Sequence, residues 1–278
     1  MIITALIENR AGGGLLCEHG LAVHIQYGNK NYLLDTGASG RFIKNAAALG
    51  ISLKNVDATV LSHAHYDHSG GYREFFAIND SAEVYIREAA KDRYYSKVIG
   101  PFKKDIGIPG NVLDRYSQRF VCVSGNVEIS EGVHLLGFDD PAAEAGKTAH
   151  MYRKRKGKLE PDTFKHEQSL VFETRDGIVI LNSCCHNGVC YVVEMAKAVF
   201  PGKRVLALIG GFHLMGFWGA KTMAGNREKI AAIAARLDHL GVERIYTGHC
   251  TGDPAYEILQ EELGKKAEYF MTGCQLEI

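Results

Sequence analysis

Leu61-Ser62-His63-Ala64-His65-Tyr66-Asp67-His68-Ser69-Gly70-Gly71 is the stretch on which the reading of this chain turns. Three histidines and one aspartate fall within six residues, directly after the apolar, β-branched run Val56-Asp57-Ala58-Thr59-Val60-Leu61. The pattern predicts a strand that ends in a loop crowded with metal-ligand chemistry. Neutral imidazoles suit zinc, iron, manganese or nickel, and a carboxylate beside them suits a hard or borderline divalent cation. Alternation along His63, His65 and Asp67 predicts one group facing one way, with His68 turned elsewhere, which is enough for two adjacent metal positions. The competing reading, a polar loop with incidental histidines, leaves this density of ligand-type residues unexplained.

Similar strand ends recur along the chain. Leu34-Asp35-Thr36-Gly37 closes a β-hairpin predicted over Leu21–Tyr27 and Asn31–Asp35, with its turn at Gly28-Asn29-Lys30. Ile178-Val179-Ile180-Leu181-Asn182-Ser183-Cys184-Cys185-His186 is an apolar strand ending in a histidine. Val205 to Gly211 delivers His213, and Arg244 to Gly248 delivers His249. Between and after these runs, helices are predicted at 42–49, 72–76, 187–199, 226–239 and 254–263 from apolar spacing and glycine stops. A short helix is also expected at 87–95, and antiparallel strands at 120–123, 127–129 and 133–138. Residues 96–118 and 139–165, with their Gly-Pro and Pro-Gly breaks and scattered charge, are expected to be irregular excursions. Arg10-Ala11-Gly12-Gly13-Gly14 lacks the spacing and following helix of a dinucleotide-binding loop.

Composition narrows the class. The 278 residues are 46% hydrophobic and 23% charged, and 32 basic residues balance 32 acidic ones. A formal net charge of zero gives no global basic field for nucleic acid or an anionic membrane. No apolar run approaches the roughly 20 residues of a membrane helix, and Met1 to Glu8 lacks the basic start of a secretory signal. The seven cysteines form no Cys-x-x-Cys pair and read as reduced thiols of a cytoplasmic protein. The expected partner is a small-molecule substrate, without nucleic acid or membrane, and the sequence leaves the oligomeric state open.

At His63-Ala64-His65-Tyr66-Asp67-His68 the chain resembles the metallo-β-lactamase superfamily, whose signature is His-x-His-x-Asp-His. A narrower resemblance, to the dihydropterin-ribofuranosylaminobenzene phosphate synthase-like branch, is carried by Glu18-His19-Gly20-Leu21, Gly210-Gly211-Phe212-His213-Leu214 and His249-Cys250-Thr251-Gly252 as well. The resemblance implies an α/β chain folded as a four-layer αββα sandwich, with two mixed sheets flanked by helices, over residues 1–278 as one domain. It also implies a ligand set: His63, His65 and His186 on one metal, and Asp67, His68 and His249 on the other. The metal expected is zinc, with manganese or iron as alternatives, in one or two ions. Many superfamily members place a bridging aspartate near this chain's Ser183–Cys185, where none stands, so weaker binding of a second ion is expected. His166 is a competing ligand candidate, and Cys185 is either a soft ligand or a small buried residue.

The implied activity is metal-dependent hydrolysis of an ester, lactone or phosphoester-type bond, through a water that the metal makes acidic. Asp67 is expected to orient that water, and His213 to bind substrate or transfer a proton. Asp35 is expected to orient a ligand histidine, while Glu18 and His19 are weaker candidates for lining the pocket. Phe212, Met215, Phe217 and Trp218 are read either as walls for a flat ring or as core. The basic run Arg153-Lys154-Arg155-Lys156-Gly157-Lys158 is read either as a solvated hairpin or as a flap attracting an anionic substrate. A di-iron redox protein and a metal-bound sensor on the same fold are the alternatives to a hydrolase.

Overall fold

The computed structural model describes residues 1–97, 102–138 and 150–278. In chain order the first strands are β1 (Ile2–Ile7), β2 (Ala22–Tyr27), β3 (Lys30–Leu34), β4 (Ala58–Val60), β5 (Glu83–Arg87), β6 (Arg93–Lys97) and β7 (Lys103–Asp105). There follow β8 (Phe120–Val123), β9 (Val127–Ser130), β10 (Val133–Gly137), β11 (Met151–Arg155), β12 (Lys158–Pro161), β13 (Gln168–Glu173) and β14 (Ile178–Leu181). The last are β15 (Val205–Gly210), β16 (Met215–Gly216), β17 (Gly219–Met223), β18 (Ile245–Thr247), β19 (Ala267–Tyr269) and β20 (Gln275–Glu277). Contacts divide the chain into two compact units, one of residues 1–124, 138–167 and 271–278, the other of residues 125–137 and 168–270.

The first unit is built on a seven-stranded mixed sheet in the order β20-β1-β2-β3-β4-β5-β8. Its β20-β1-β2-β3 half is antiparallel and its β3-β4-β5-β8 half parallel. Ile3, Ala5, Leu6, Ile7, Leu33 and Val84 are fully buried, as their unbroken apolar runs require. Gly28, at φ 59°, makes the two-residue β2–β3 turn. Helix α1 (Arg41–Ala48) buries Phe42 and Ala46, and the short helices α2 (Tyr66–Ser69) and α3 (Tyr72–Phe76) follow the signature. Phe42, Tyr72 and Phe75 join Leu33 and Val84 in one apolar cluster.

The second unit repeats this plan. Its sheet runs β19-β18-β15-β14-β13-β10-β9, with the first four strands parallel and the last four, sharing β14, antiparallel. Helices at Val189–Val199, Arg227–His239 and Asp253–Leu263 connect the parallel strands, as the sequence spacing predicts. In open α/β sheets, functional groups gather at the carboxyl ends of parallel strands. Here the ends of β3, β4 and β5 in one unit, and of β14, β15 and β18 in the other, are the positions that carry Asp35, His63, Arg87, His186, His213 and His249.

Three sequence expectations change. Strand β8 is not the first of an antiparallel trio; it pairs in parallel with β5, and only β9 and β10 form a hairpin. The chain crosses from one unit to the other at Ser124–Gly125, so a three-residue gap that reads as a tight turn is a crossing instead. The helix expected at 87–95 is a single 3-10 turn at Glu88–Lys91 followed by β6. The two excursions, where described, are not irregular: β12-β11-β6-β7 is a four-stranded antiparallel sheet in the first unit. Arginine, lysine and tyrosine alternate on these strands in place of aliphatic residues, so no apolar period marks them. Residues 98–101 and 139–149 of those excursions lie outside the described residues.

Candidate metal centre

In the first unit the signature loop is organised around Asp35. This residue has no exposed surface and sits at φ 59°, a left-handed conformation that aspartate tolerates better than most residues. Its carboxylate accepts the Ser62 backbone N–H at 2.7 Å, the Ser62 hydroxyl at 2.6 Å and His68 Nδ1–H at 2.7 Å. Because the Ser62 hydroxyl spends its proton on Asp35, its oxygen accepts from His63 Nδ1–H at 2.8 Å. Both rings are thereby fixed as Nδ1–H tautomers with the basic lone pair on Nε2, the state a metal ligand needs. Asp35 orients His68 directly and His63 through Ser62.

His68 is not turned away from its neighbours. Its ring lies 4.2 Å from that of His63, and its Nε2 lies 3.7 Å from Asp67 Oδ2. Alternation fails because Tyr66–Ser69 is a helical turn rather than strand. The His63 and His65 rings are 4.6 Å apart, edge to face. Burial, reinforced by the neighbouring His166, pushes His65 down to about 3, so its imidazole is neutral at physiological pH. Three close, buried imidazoles and one carboxylate suit a divalent cation, so this donor set fits the expected metal.

His166 does something else. Its Nδ1 accepts the Ala64 N–H at 3.0 Å, and its Nε2–H donates to Asp162 Oδ2 at 3.0 Å. Both nitrogens are committed, although His65, Asp162 and His166 have donor atoms within 4.8 Å of one another. His166 therefore pins the backbone between His63 and His65, and Tyr94 packs on its ring at 4.2 Å. His166→Asn is expected to lower Tm, while the metal bound at saturation, measured by elemental analysis, stays at the wild-type ratio. The cost is about 1–3 kcal/mol, from the unmatched Ala64 N–H and Asp162. Loss of a full metal equivalent would make His166 a ligand.

Glu18 is structural. Its carboxylate accepts the Ala38 and Ser39 N–H groups at 3.0 Å each and the Ser39 hydroxyl at 2.6 Å, so it holds the loop after β3. His19, partly exposed, keeps Nε2 3.3 Å from Asp67 Oδ2.

In the second unit, three strand ends present His186, His213 and His249. Asn182, the last residue before the β14 loop, receives the N–H groups of Cys184 (3.3 Å) and Cys185 (2.7 Å) on its side-chain oxygen and donates to Ser169. Cys185 is a small buried residue within that turn. The His186 and His213 rings lie 4.2 Å apart. Cys185, His213 and His249 all have positive φ (44°, 51° and 48°), so each loop leaves its strand under backbone strain. Thr251 accepts the Phe212 N–H at 3.0 Å and bonds Thr247 at 2.6 Å, which ties the His213 loop to the His249 turn.

Cys184 and Cys250 bring their sulfurs to 3.2 Å, and both lie within 4.8 Å of a His249 nitrogen. Burial opposes a Cys250 thiolate, but hydrogen bonding from Cys184 and from His213, with the His213 charge, outweighs it and holds the thiol below its ordinary range. Gly210 and Gly211 stand where the backbone runs close against its neighbours. A Cβ on Gly210 would stand 2.0 Å from the Asn182 carbonyl oxygen, and one on Gly211 would stand 2.5 Å from Cys250 Sγ. Phe212 is core, while Phe217 and Trp218 are exposed at the β16–β17 turn. Ser62, Asn182, Asp162 and Thr251 are the residues that sequence reasoning missed. Ser62 and Thr251 stand within two residues of a ligand-type histidine, and Asn182 and Asp162 stand four residues before one.

Residues 17–202 match the model of the metallo-beta-lactamase superfamily, which is two thirds of the chain. The chain belongs to this superfamily. A relative in Methanocaldococcus jannaschii, the 7,8-dihydropterin-6-methyl-4-(beta-D-ribofuranosyl)-aminobenzene-5'-phosphate synthase, is 27% identical over 289 aligned residues covering 98% of this chain and 94% of that protein. The solved structure of Tm1679, a metal-dependent hydrolase of the beta-lactamase superfamily, matches 100% of this chain and 99% of its own, with 30% identity and a TM-score of 0.82. Zinc-bound PqqB from Methylobacterium extorquens shares the superfamily fold at 14% identity, with a TM-score of 0.58 over 100% of both chains. Among the described residues, no helix is long and apolar enough to cross a membrane.

Proposed function

We propose that this chain is a cytoplasmic metal-dependent hydrolase, a single domain that cleaves an ester, lactone or phosphoester-type bond in a small molecule. The observation that carries the reading is the Asp35–Ser62–His63/His68 network, which fixes two imidazoles in the ligand tautomer. His63, His65, Asp67, His68, His186 and His249 are the proposed ligands of one or two ions, zinc first. When bound, the metal supplies an acidified water and a Lewis acid toward the oxygen under attack. Asp67, with His19 at 3.3 Å, orients the attacking water through its carboxylate. His213 holds or gives up a proton at its ring toward the substrate or its leaving group. A phosphate- or pterin-bearing substrate is favoured by likeness to the synthase, whose name carries both groups.

The test is elemental analysis of protein purified without added metal, beside His186→Ala, together with turnover of bis(p-nitrophenyl) phosphate and of a simple lactone. About two equivalents of zinc or manganese, falling to about one in the variant, with hydrolysis of either substrate, is the expected result. Two irons with a visible absorption band would replace the hydrolase by a redox protein. Unchanged stoichiometry in the variant would remove His186 from the ligand set.

A further inference from the structure

Within the first unit, a cavity of about 430 Å³ opens at the carboxyl ends of β5 and β8. Six cationic side chains line it: Arg87, Lys91, Arg153, Arg155, Lys156 and Lys165. The acidic lining is Glu88, which Lys91 pairs at 2.9 Å, and Asp92. Arg153 is held by Glu160 at 2.8 Å, which fixes its guanidinium on the β11–β12 hairpin. Alternation along β11 sends Arg153 and Arg155 toward the cavity and leaves Lys154 off it. Lys156 follows at the hairpin turn, at φ 48°. Arg87 is only 4% exposed, so the cavity has a buried guanidinium as well as surface lysines. A solvated hairpin requires neither the concavity nor a buried arginine on its floor.

We infer that this cavity is an anion site that takes the phosphoryl group of a phosphorylated small molecule. Guanidinium forks match phosphate oxygens geometrically, and the six cations outnumber Glu88, Asp92 and the Glu160 that holds Arg153, so the concave wall focuses a positive field on a dianion. The volume suits a small molecule rather than a polymer. Strand β5 is the neighbour of β4, which leads into His63, so the anion site and the signature loop share one edge of the sheet. A substrate anchored by its phosphate is therefore presented beside the signature loop. That link to catalysis rests on the proposed hydrolase, whereas anion binding itself does not.

The probe is α-glycerophosphate, with glycerol as its uncharged counterpart, titrated calorimetrically into the full chain with its bound metal at low salt. Saturable one-to-one binding of α-glycerophosphate and none of glycerol is expected, weakened about tenfold or more in Arg155→Gln/Lys165→Gln. Both positions are exposed, so the variant folds; Arg87→Gln, at the buried position, is the second variant. Undiminished binding in the double variant would assign the phosphate to the metal centre and overturn the site, as would absence of saturable binding. Wild-type inactivity on both bis(p-nitrophenyl) phosphate and the lactone, with α-glycerophosphate binding intact, would refute the hydrolase and leave the anion site standing.

Discussion

Asp35→Ala is expected to destabilise the protein by about 3–5 kcal/mol and to weaken metal binding by about 10–100-fold. The carboxylate is fully buried and accepts three hydrogen bonds of 2.6–2.7 Å, from the Ser62 N–H, the Ser62 hydroxyl and His68. Removing it strands three buried donors, each costing about 1–3 kcal/mol. Alanine at φ 59° adds a smaller backbone strain. The metal effect has a separate origin, because removing Asp35 takes away the acceptor that holds the His68 proton on Nδ1 and draws the Ser62 proton away from His63. Asp35→Asn separates the two, since asparagine tolerates the backbone angle and keeps one acceptor but adds an amide donor. It is expected to recover most of the stability and little of the affinity. Urea melts and a chelator competition measure the two quantities, and wild-type affinity in Asp35→Asn would show that the carboxylate does not set the tautomers.

Gly210→Ala is expected to cost more than about 3 kcal/mol, enough to leave little folded protein from a typical margin. The added methyl carbon meets the Asn182 carbonyl oxygen at 2.0 Å and its carbon at 2.7 Å, at a φ of +132° that L side chains rarely adopt. Neither neighbour can give way, because β14 and β15 are paired central strands of the second sheet. The Asn182 side chain also braces the turn to His186, so a shift there displaces a proposed ligand. Gly188→Ala is the comparison: its φ is +91°, yet nothing lies within 4 Å of its Cβ. It carries strain alone, about 1–3 kcal/mol. Thermal melts of the two variants that coincide would mean that the contact with Asn182 is not what Gly210 avoids.

The signature was legible because six residues held four ligand-type side chains behind an apolar strand. The strand ends at Asp35, His186, His213 and His249 were legible for the same reason: an apolar run that stops at a polar residue marks the carboxyl end of a buried strand. What stayed hidden was relational. Ser62 read as an ordinary loop residue and Asn182 as the end of a strand, and only the paths of β3, β4 and β14 show that they bridge to Asp35 and to the Cys184–Cys185 amides. His166 read as a rival ligand because its sequence cannot show that Ala64 and Asp162 occupy its two nitrogens. The β6–β7 and β11–β12 strands carry charge where a period of two is normally written in aliphatic residues, so the sheet that shapes the anion cavity left no hydrophobic trace.

Strand β1 takes its outer partner from the far end of the chain: Ile2, Ile3 and Thr4 pair with Glu277, Leu276 and Gln275. On the ribosome, at about 5–20 residues per second, β1 waits roughly 15–55 s for that partner. Through that interval the nascent sheet presents an open edge backed by the buried residues Ile3, Ala5 and Ile7, the kind of edge that captures other strands. Shortening the chain before Gln275 would make that interval permanent. Loss of the last few residues is therefore expected to appear first as aggregation during synthesis, well away from any ligand-bearing loop.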